Sequence, residues 1–385
     1  MQLAVLKESS PEHRVALTPA AVAPLVKAGW EVLVESTAGQ AAGFLDADYL
    51  AKGAKIANTR DELFAANMLL AVKVSPAALV TKLKPGQIMI GMFDPLGTPD
   101  TAQKLSSSGA TCFALELIPR TTRAQSMDVL SSMATVAGYR AVLLAAVQLP
   151  KMFPMLMTAA GTVTPAKVFV LGAGVAGLQA IATARRLGAV VQAYDVRPAC
   201  REQVESLGGK FVELGLESAE AEDKSGYAKA LGDDFTRRQQ GALAKIIAEC
   251  DVVVSTAAIP GQKSPVLITP EAVAAMKPGS VIVDLAAERG GNCPLTKADQ
   301  TIIEHGVTIL GPTNLPAEVA YDASVMFANN VAKFILNMFP KGKTEINFGD
   351  DIVRETLVAK AGEVVHPKVR LALGMEPVAA NAPDM

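Results

Sequence analysis

The stretch Lys167–Asp195, KVFVLGAGVAGLQAIATARRLGAVVQAYD, leaves the chain few choices of fold. Val168 to Leu171 is a short, uninterrupted apolar run, as a parallel strand covered on both faces requires. Gly172, Gly174 and Gly177 follow at G-x-G-x-x-G spacing. A helical pattern then sets Leu178, Ile181, Ala182 and Leu187 on one face, and a second apolar run, Val190 to Tyr194, ends in Asp195. In such a unit the first glycine permits a tight turn. The second lets backbone approach a pyrophosphate, and the third lets helix and strand pack closely. The helix N-terminus offers N–H groups and the positive end of its dipole to phosphate. Asp195 stands where a carboxylate accepts hydrogen bonds from both hydroxyls of an adenosine ribose and repels a 2′-phosphate. The glycines alone ask for no more than a tight strand–helix turn. With both strands, the helix and the acid in register, the reading is a dinucleotide site favouring NAD over NADP.

At 385 residues the chain has room for two or three domains, at about 150 residues each. A net charge of −2 offers no basic surface for nucleic acid. Cys112, Cys200, Cys250 and Cys293 are far apart and form no C-x-x-C pair, so they read as scattered buried thiols in a reducing compartment. His13, His305 and His366 are equally dispersed and suggest no local metal site. His13 is expected to face solvent, and the other two to be structural. MQLAVLKESSPEHR lacks the pattern of a signal peptide. The most apolar stretch, Ala141 to Leu149, is flanked or interrupted by Arg140, Gln148 and Lys151 and is too short to span a bilayer. The expectation is a soluble, cytoplasmic chain.

Residues 1–116 alternate apolar runs (Leu3–Leu6, Glu31–Glu35, Met68–Val74, Gln87–Phe93, Thr111–Leu115) with helical patterns. Thr18-Pro19 opens one such helix over Ala20–Ala28, and Gly29 closes it. This predicts a parallel sheet with helices on both faces but no phosphate cradle of its own. Residues 127–149 read as one long helix, and a second αβ unit follows to about Leu310 through strands at Asp251–Thr256, Ser280–Leu285 and Val307–Leu310. A helix over Ala323–Met338 is expected to return as a second bridge, with short strands at Ile346–Phe348, Thr356–Ala359 and Glu363–Val365 closing onto the first domain. The predicted fold is α/β: two doubly wound, Rossmann-like domains, the second (133–317) inserted into the first (1–132 plus 318–385), joined by long helices with a cleft between. Glu213 to Gln240 is rich in charge and glycine. It reads either as a solvated surface insertion or as a mobile loop, about 215–240, whose Tyr227 closes over the dinucleotide.

Oxidation of a hydroxy or amino acid moves a proton with the hydride and needs a positioned acid/base and a cation for the substrate carboxylate. Arg14 and Lys73 could supply the cation, but the histidines form no convincing set. Hydride transfer between two nicotinamides moves no proton. The protein then has only to hold both rings within about 3–3.5 Å and exclude water. RTTRAQSMDVLS, after a strand end, gathers Arg120, Arg123, Gln125, Ser126, Asp128 and Ser131 into such a polar holder. The same residues also suit a charged loop that merely caps the following helix through Asp128.

RTTRAQSMDVLSSMATVAGYRA, VLGAGVAGLQAIATARRLGAVVQAYDVRP, STAAIPGQKSPVLIT and MKPGSVIVDLAAERGGNCPLT together resemble the NAD(H)-binding component of proton-translocating transhydrogenase. SGYAKALGDDF resembles that family's mobile loop, and KESSPEHRVALTPAAVAPLVKAGWEVLVESTAGQ is shared with the related alanine dehydrogenases. The resemblance implies that Arg120, Gln125 and Asp128, with Ser131, hold the nicotinamide end of NAD(H) and present it to NADP(H) on a partner component. It implies that Gly172, Gly174, Val175, Ala176 and Gly177 cradle the pyrophosphate, Asp195 takes the adenosine ribose, and Val196, Arg197, Ala257 and Leu285 complete the cofactor contacts. Tyr227 belongs to the closing loop. It further implies a homodimer docked on an NADP(H)-binding and a membrane-spanning component, peripheral to the cytoplasmic face of the membrane.

Two departures separate the relatives. The region where alanine dehydrogenases carry a catalytic His reads GMFDPLGTP here, and their catalytic Asp falls on Glu288 in AAERGGNC. Arg14 and Lys73 match their substrate positions. The alternatives to a transhydrogenase subunit are therefore an alanine-type amino-acid dehydrogenase and a non-catalytic NAD-sensing module.

Overall fold

The computed structural model describes residues 1–73, 79–215, 232–258, 261, 263–340 and 343–376. The chain divides into two compact units, Met1–Met133 with Pro316–Met385, and Ala134–Leu315.

The first six strands are β1 (Gln2–Val5), β2 (Glu31–Glu35), β3 (Lys55–Ala57), β4 (Met68–Lys73), β5 (Ile88–Met92) and β6 (Thr111–Ala114). In the second unit follow β7 (Leu156–Thr158), β8 (Gly161–Val163), β9 (Lys167–Leu171), β10 (Val190–Tyr194) and β11 (Lys210–Phe211). Its sheet is completed by β12 (Val252–Ser255), β13 (Val281–Asp284), β14 (Thr301–Glu304) and β15 (Val307–Leu310). The chain then returns to the first unit with β16 (Leu357–Lys360) and β17 (Glu363–Val364).

The first sheet runs β17-β16-β6-β5-β4-β1-β2-β3. Its six N-terminal strands are mutually parallel, and β16 and β17 add antiparallel at one edge. The helix Pro19–Lys27 begins after Thr18, with proline at its first position, and Gly29 behind it takes φ +95°. The helix Ala320–Met338, expected as a bridge, falls wholly within this unit. Ile346–Phe348 is irregular rather than a strand.

The second sheet runs β11-β10-β9-β12-β13-β15-β14, all parallel but for β14. Strand order therefore reverses between β9 and β12, the switch point beside which open α/β sheets take their ligands. Val168, Val170, Val252, Val254, Val281 and Val283 lie in one buried cluster with Ala141, Val142, Ala145 and Leu149 of the helix Val129–Gln148 and its end. That helix is long and apolar enough to cross a membrane by length and composition. Its apolar residues here instead cover a sheet. At Gly138 an added Cβ would stand 2.0 Å from the Ala176 carbonyl oxygen, so only glycine admits the contact. All four cysteines are buried free thiols, and burial pushes Cys112 and Cys250 up to about 12. The expected loop at 215–240 is partly regular: the helix Asp233–Ile247 begins within its second half. Tyr227 lies outside the described residues.

Candidate functional site: a carboxyl-edge rim and a loop

Parallel register brings the ends of four strands of the second unit level. Leu171 of β9 pairs with Tyr194 of β10 and Ser255 of β12, and Ser255 pairs with Asp284 of β13. The next residues, Gly172, Asp195, Thr256 and Leu285, therefore stand side by side on one rim, with Ala257 one step further. The ladder extends into them through Gly172 N–H to the Tyr194 oxygen (2.9 Å), Thr256 N–H to Leu171 (2.8 Å) and Leu285 N–H to Ser255 (2.9 Å).

The three glycines of this rim have separable roles. Gly172 takes φ +92°, and a Cβ there would meet Thr256 Oγ1 at 2.7 Å. A Cβ at Gly177 would lie 1.8 Å from the Gly172 carbonyl oxygen, so the helix Val175–Arg186 can sit this close to the strand end only with glycine. At Gly174, the N-cap, φ is −75° and a Cβ would meet nothing within 4 Å. Neither backbone nor packing demands glycine at that position, which leaves close approach of a ligand as the reason for it. No side chain caps this helix and its first turn carries no acid, so Val175, Ala176 and Gly177 present backbone N–H groups and positive dipole to an anion.

Asp195 is buried at 5% exposure. Its Oδ2 accepts from Ala173 N–H (2.8 Å) and Arg197 Nη2 (2.8 Å), and its Oδ1 from Arg197 N–H (2.9 Å) and Nε (2.8 Å). Burial alone would raise its pKa, but the Arg197 guanidinium and the two backbone donors outweigh it and hold the carboxyl below the usual range. Val196 and Arg197 are half-buried beside it, as are Ala257 and Leu285 across the rim.

Behind the rim is a polar support that the sequence did not single out. Thr256 Oγ1 donates to the Leu171 or Gly172 carbonyl (3.2 and 3.0 Å). Fully buried Asn292 donates through Nδ2 to the carbonyls of Ala257 and Pro265 (both 2.8 Å) and accepts from Ser255 Oγ (2.6 Å). Fully buried Asp284 accepts from Ala286 N–H, Asn292 N–H, Cys293 N–H and Thr296 Oγ1, although burial still raises its pKa. The only sequence cue was Asn292 directly after a glycine pair. Glu288, by contrast, is exposed on the short turn Ala287–Arg289.

In the first unit the loop Arg120–Asp128 is pinned at several points. Arg123 forms ion pairs with Asp350 (2.6 Å) and Asp351, and Asn330 Nδ2 donates to the Ser126 carbonyl (2.9 Å). Ala124 and Met127 are buried, while Arg120 and Gln125 are exposed. Asp128 does cap the helix Val129–Gln148: its Oδ1 accepts from Ser131 N–H (2.9 Å) and its Oδ2 from Ser131 Oγ (2.6 Å). The loop is thus held from behind, and the Gln125 amide faces outward.

The residues shared with amino-acid dehydrogenases are differently engaged. Arg14 and Glu12 form a buried bidentate pair (Nε–Oε1 2.7 Å, Nη2–Oε2 2.6 Å). Glu8, accepting from Val72 N–H at 2.6 Å, is pushed up to about 7 by burial. His13 is exposed, and His366 is buried with burial holding it down to about 4. No cluster of His, Cys, Asp and Glu suited to a metal occurs among the described residues.

Comparison with known proteins agrees with this layout. Residues 4–137 match the family model "Alanine dehydrogenase/PNT, N-terminal domain", and residues 141–367 match its C-terminal counterpart. The chain is 47% identical over 377 residues to an NAD(P) transhydrogenase subunit alpha chain of Rhodospirillum rubrum, covering 95% of this chain and 98% of that protein. It is 32% identical to an alanine dehydrogenase of Halomonas elongata, over 99% of both. Among solved structures, transhydrogenase from Sinorhizobium meliloti superposes with a TM-score of 0.83 at 42% identity, covering 95% of this chain and 99% of that one. An L-alanine dehydrogenase gives 0.81 at 27% identity, covering 97% and 99%. The chain belongs to the alanine dehydrogenase/PNT family.

Proposed function

We propose that this chain is the NAD(H)-binding subunit of proton-translocating transhydrogenase, presenting NAD(H) for direct hydride transfer to or from NADP(H) on a partner component. The observation that supports it most is the rim at the switch point of the second sheet, where Gly174 alone of the three glycines opens onto free space beside an uncapped helix N-terminus and Asp195. The bound dinucleotide supplies the hydride at its nicotinamide ring. The chain's own contribution is positional. N–H groups at Val175–Gly177 hold the pyrophosphate, Asp195 takes the ribose, and Arg120, Gln125 and Asp128 with Ser131 orient the nicotinamide carboxamide while one ring face stays bare. No side chain has to give or take a proton.

The partners in this reading are an NADP(H)-binding component and a membrane-spanning component, which would place the chain at the cytoplasmic face of a membrane. A homodimer is part of the proposal and is supported by the exposed Met152, Met155, Leu156 and Met157 around the β7–β8 hairpin. A second reading, amino-acid oxidation, draws on Arg14 and Lys73, but the Arg14 guanidinium is already engaged by Glu12.

The test is to mix the purified chain with an NADP(H)-binding transhydrogenase component and follow hydride exchange between NADH and an NADP analogue. Exchange that needs both proteins is expected. No exchange, or NADH oxidation by pyruvate and ammonia with this chain alone, would overturn the proposal.

A further inference from the structure

Dinucleotide folds ordinarily end their second strand with one of two devices: an acid for the ribose hydroxyls, or an arginine for a 2′-phosphate. Here both stand at the end of β10, locked on each other. Asp195 has about four acceptor positions, and the structure fills them with Ala173 N–H, Arg197 N–H, Arg197 Nε and Arg197 Nη2. The side chains are 5% and 15% exposed, so the pair is shielded from the solvent that weakens surface ion pairs.

Two consequences follow from the charges. A ribose diol can reach the Asp195 oxygens only by displacing guanidinium N–H groups, while the two backbone donors stay in place. A 2′-phosphate meets a pair with no net charge, whose carboxylate repels it and whose guanidinium is already engaged. We propose that Arg197 is a specificity-determining residue, a latent 2′-phosphate ligand kept neutralised by Asp195, so that discrimination against NADP(H) belongs to the pair rather than to the acid alone. This rests on the rim being the NAD(H) site.

The experiment is a double-mutant cycle on the full chain with Asp195→Asn, Arg197→Met and the double variant. NADH and NADPH binding are followed by fluorescence, with ADP-ribose and its 2′-phosphate as calorimetric probes. Urea unfolding shows that each variant folds. Asp195→Asn is expected to improve NADPH affinity about tenfold or more, the worth of one charge-assisted phosphate contact, and adding Arg197→Met should cancel the gain. Arg197→Met alone should widen the NADH-to-NADPH affinity ratio, because the carboxylate then repels phosphate uncompensated; this arm holds even if Asp195→Asn does not fold. A double variant that binds NADPH as well as Asp195→Asn does, or an unchanged ratio in Arg197→Met, overturns the proposal. Wild-type chain that binds neither NADH nor ADP-ribose would instead reject the NAD(H) reading of the rim, and this inference with it.

Discussion

Gly174 and Gly177 differ in what a single methyl group would meet. At Gly177 it would collide with the Gly172 carbonyl, so Gly177→Ala must push the helix Val175–Arg186 off the strand end. A loss of about 1–3 kcal/mol in urea unfolding is expected, the ordinary cost of overpacking. At Gly174 the methyl would enter open space at a backbone angle any residue adopts. Gly174→Ala should therefore leave stability within about 0.5 kcal/mol of wild type yet weaken NADH binding at least tenfold. Unchanged NADH titration in Gly174→Ala would mean that the second glycine does not face the pyrophosphate. The glycines and Asp195 were readable in the sequence because one strand–turn–helix unit fixes them locally. That Arg197 fills the Asp195 carboxylate was not, since ion pairing two residues apart depends on how β10 ends.

Among the elements, the long apolar strands were legible and the short ones were not. β3, β11 and β14 have three, two and four residues, and β14 is largely exposed, so none of them carries the uninterrupted apolar run of a buried strand. The support from Thr256, Asp284 and Asn292 was hidden for a different reason: its contacts join residues as far as 85 positions apart. The short turn Leu115–Leu117, which precedes the Arg120–Asp128 loop, carries another such feature. Glu116 Oε1 accepts from Asp94 N–H at 2.7 Å, Oε2 has no hydrogen-bond partner, and burial with Asp94 nearby raises the carboxyl from 4.5 to about 7. A folded-state pKa above the unfolded one means that the native protein binds the extra proton. The stabilisation is complete below pH 4.5 and is lost as pH rises to about 7. Glu8 acts in the same direction, whereas His366, held down to about 4, destabilises as pH falls below 6.5. Glu116→Gln should therefore flatten the decline in unfolding free energy between about pH 5 and 8 by on the order of 1–3 kcal/mol. An identical decline in the variant would show that Glu116 is ionised throughout.

For the whole molecule, two Rossmann-like units were legible from alternating strand and helix patterns, and the antiparallel β16 and β17 were placed in the first of them. The sequence suggested no complete acid/base set. In the structure, Arg14 is paired to Glu12, His13 is exposed, and no His stands in the segment after β5. A protein so arranged has no need to move a proton, only to position a ring. The most direct measurement is single-turnover transfer from NADH carrying deuterium at the transferred position of its nicotinamide, run in ordinary water with the NADP(H)-binding component present. Full recovery of the label in NADPH is the expected result. Appearance of the deuterium in solvent would contradict direct transfer and put a protein acid or base back into the reaction.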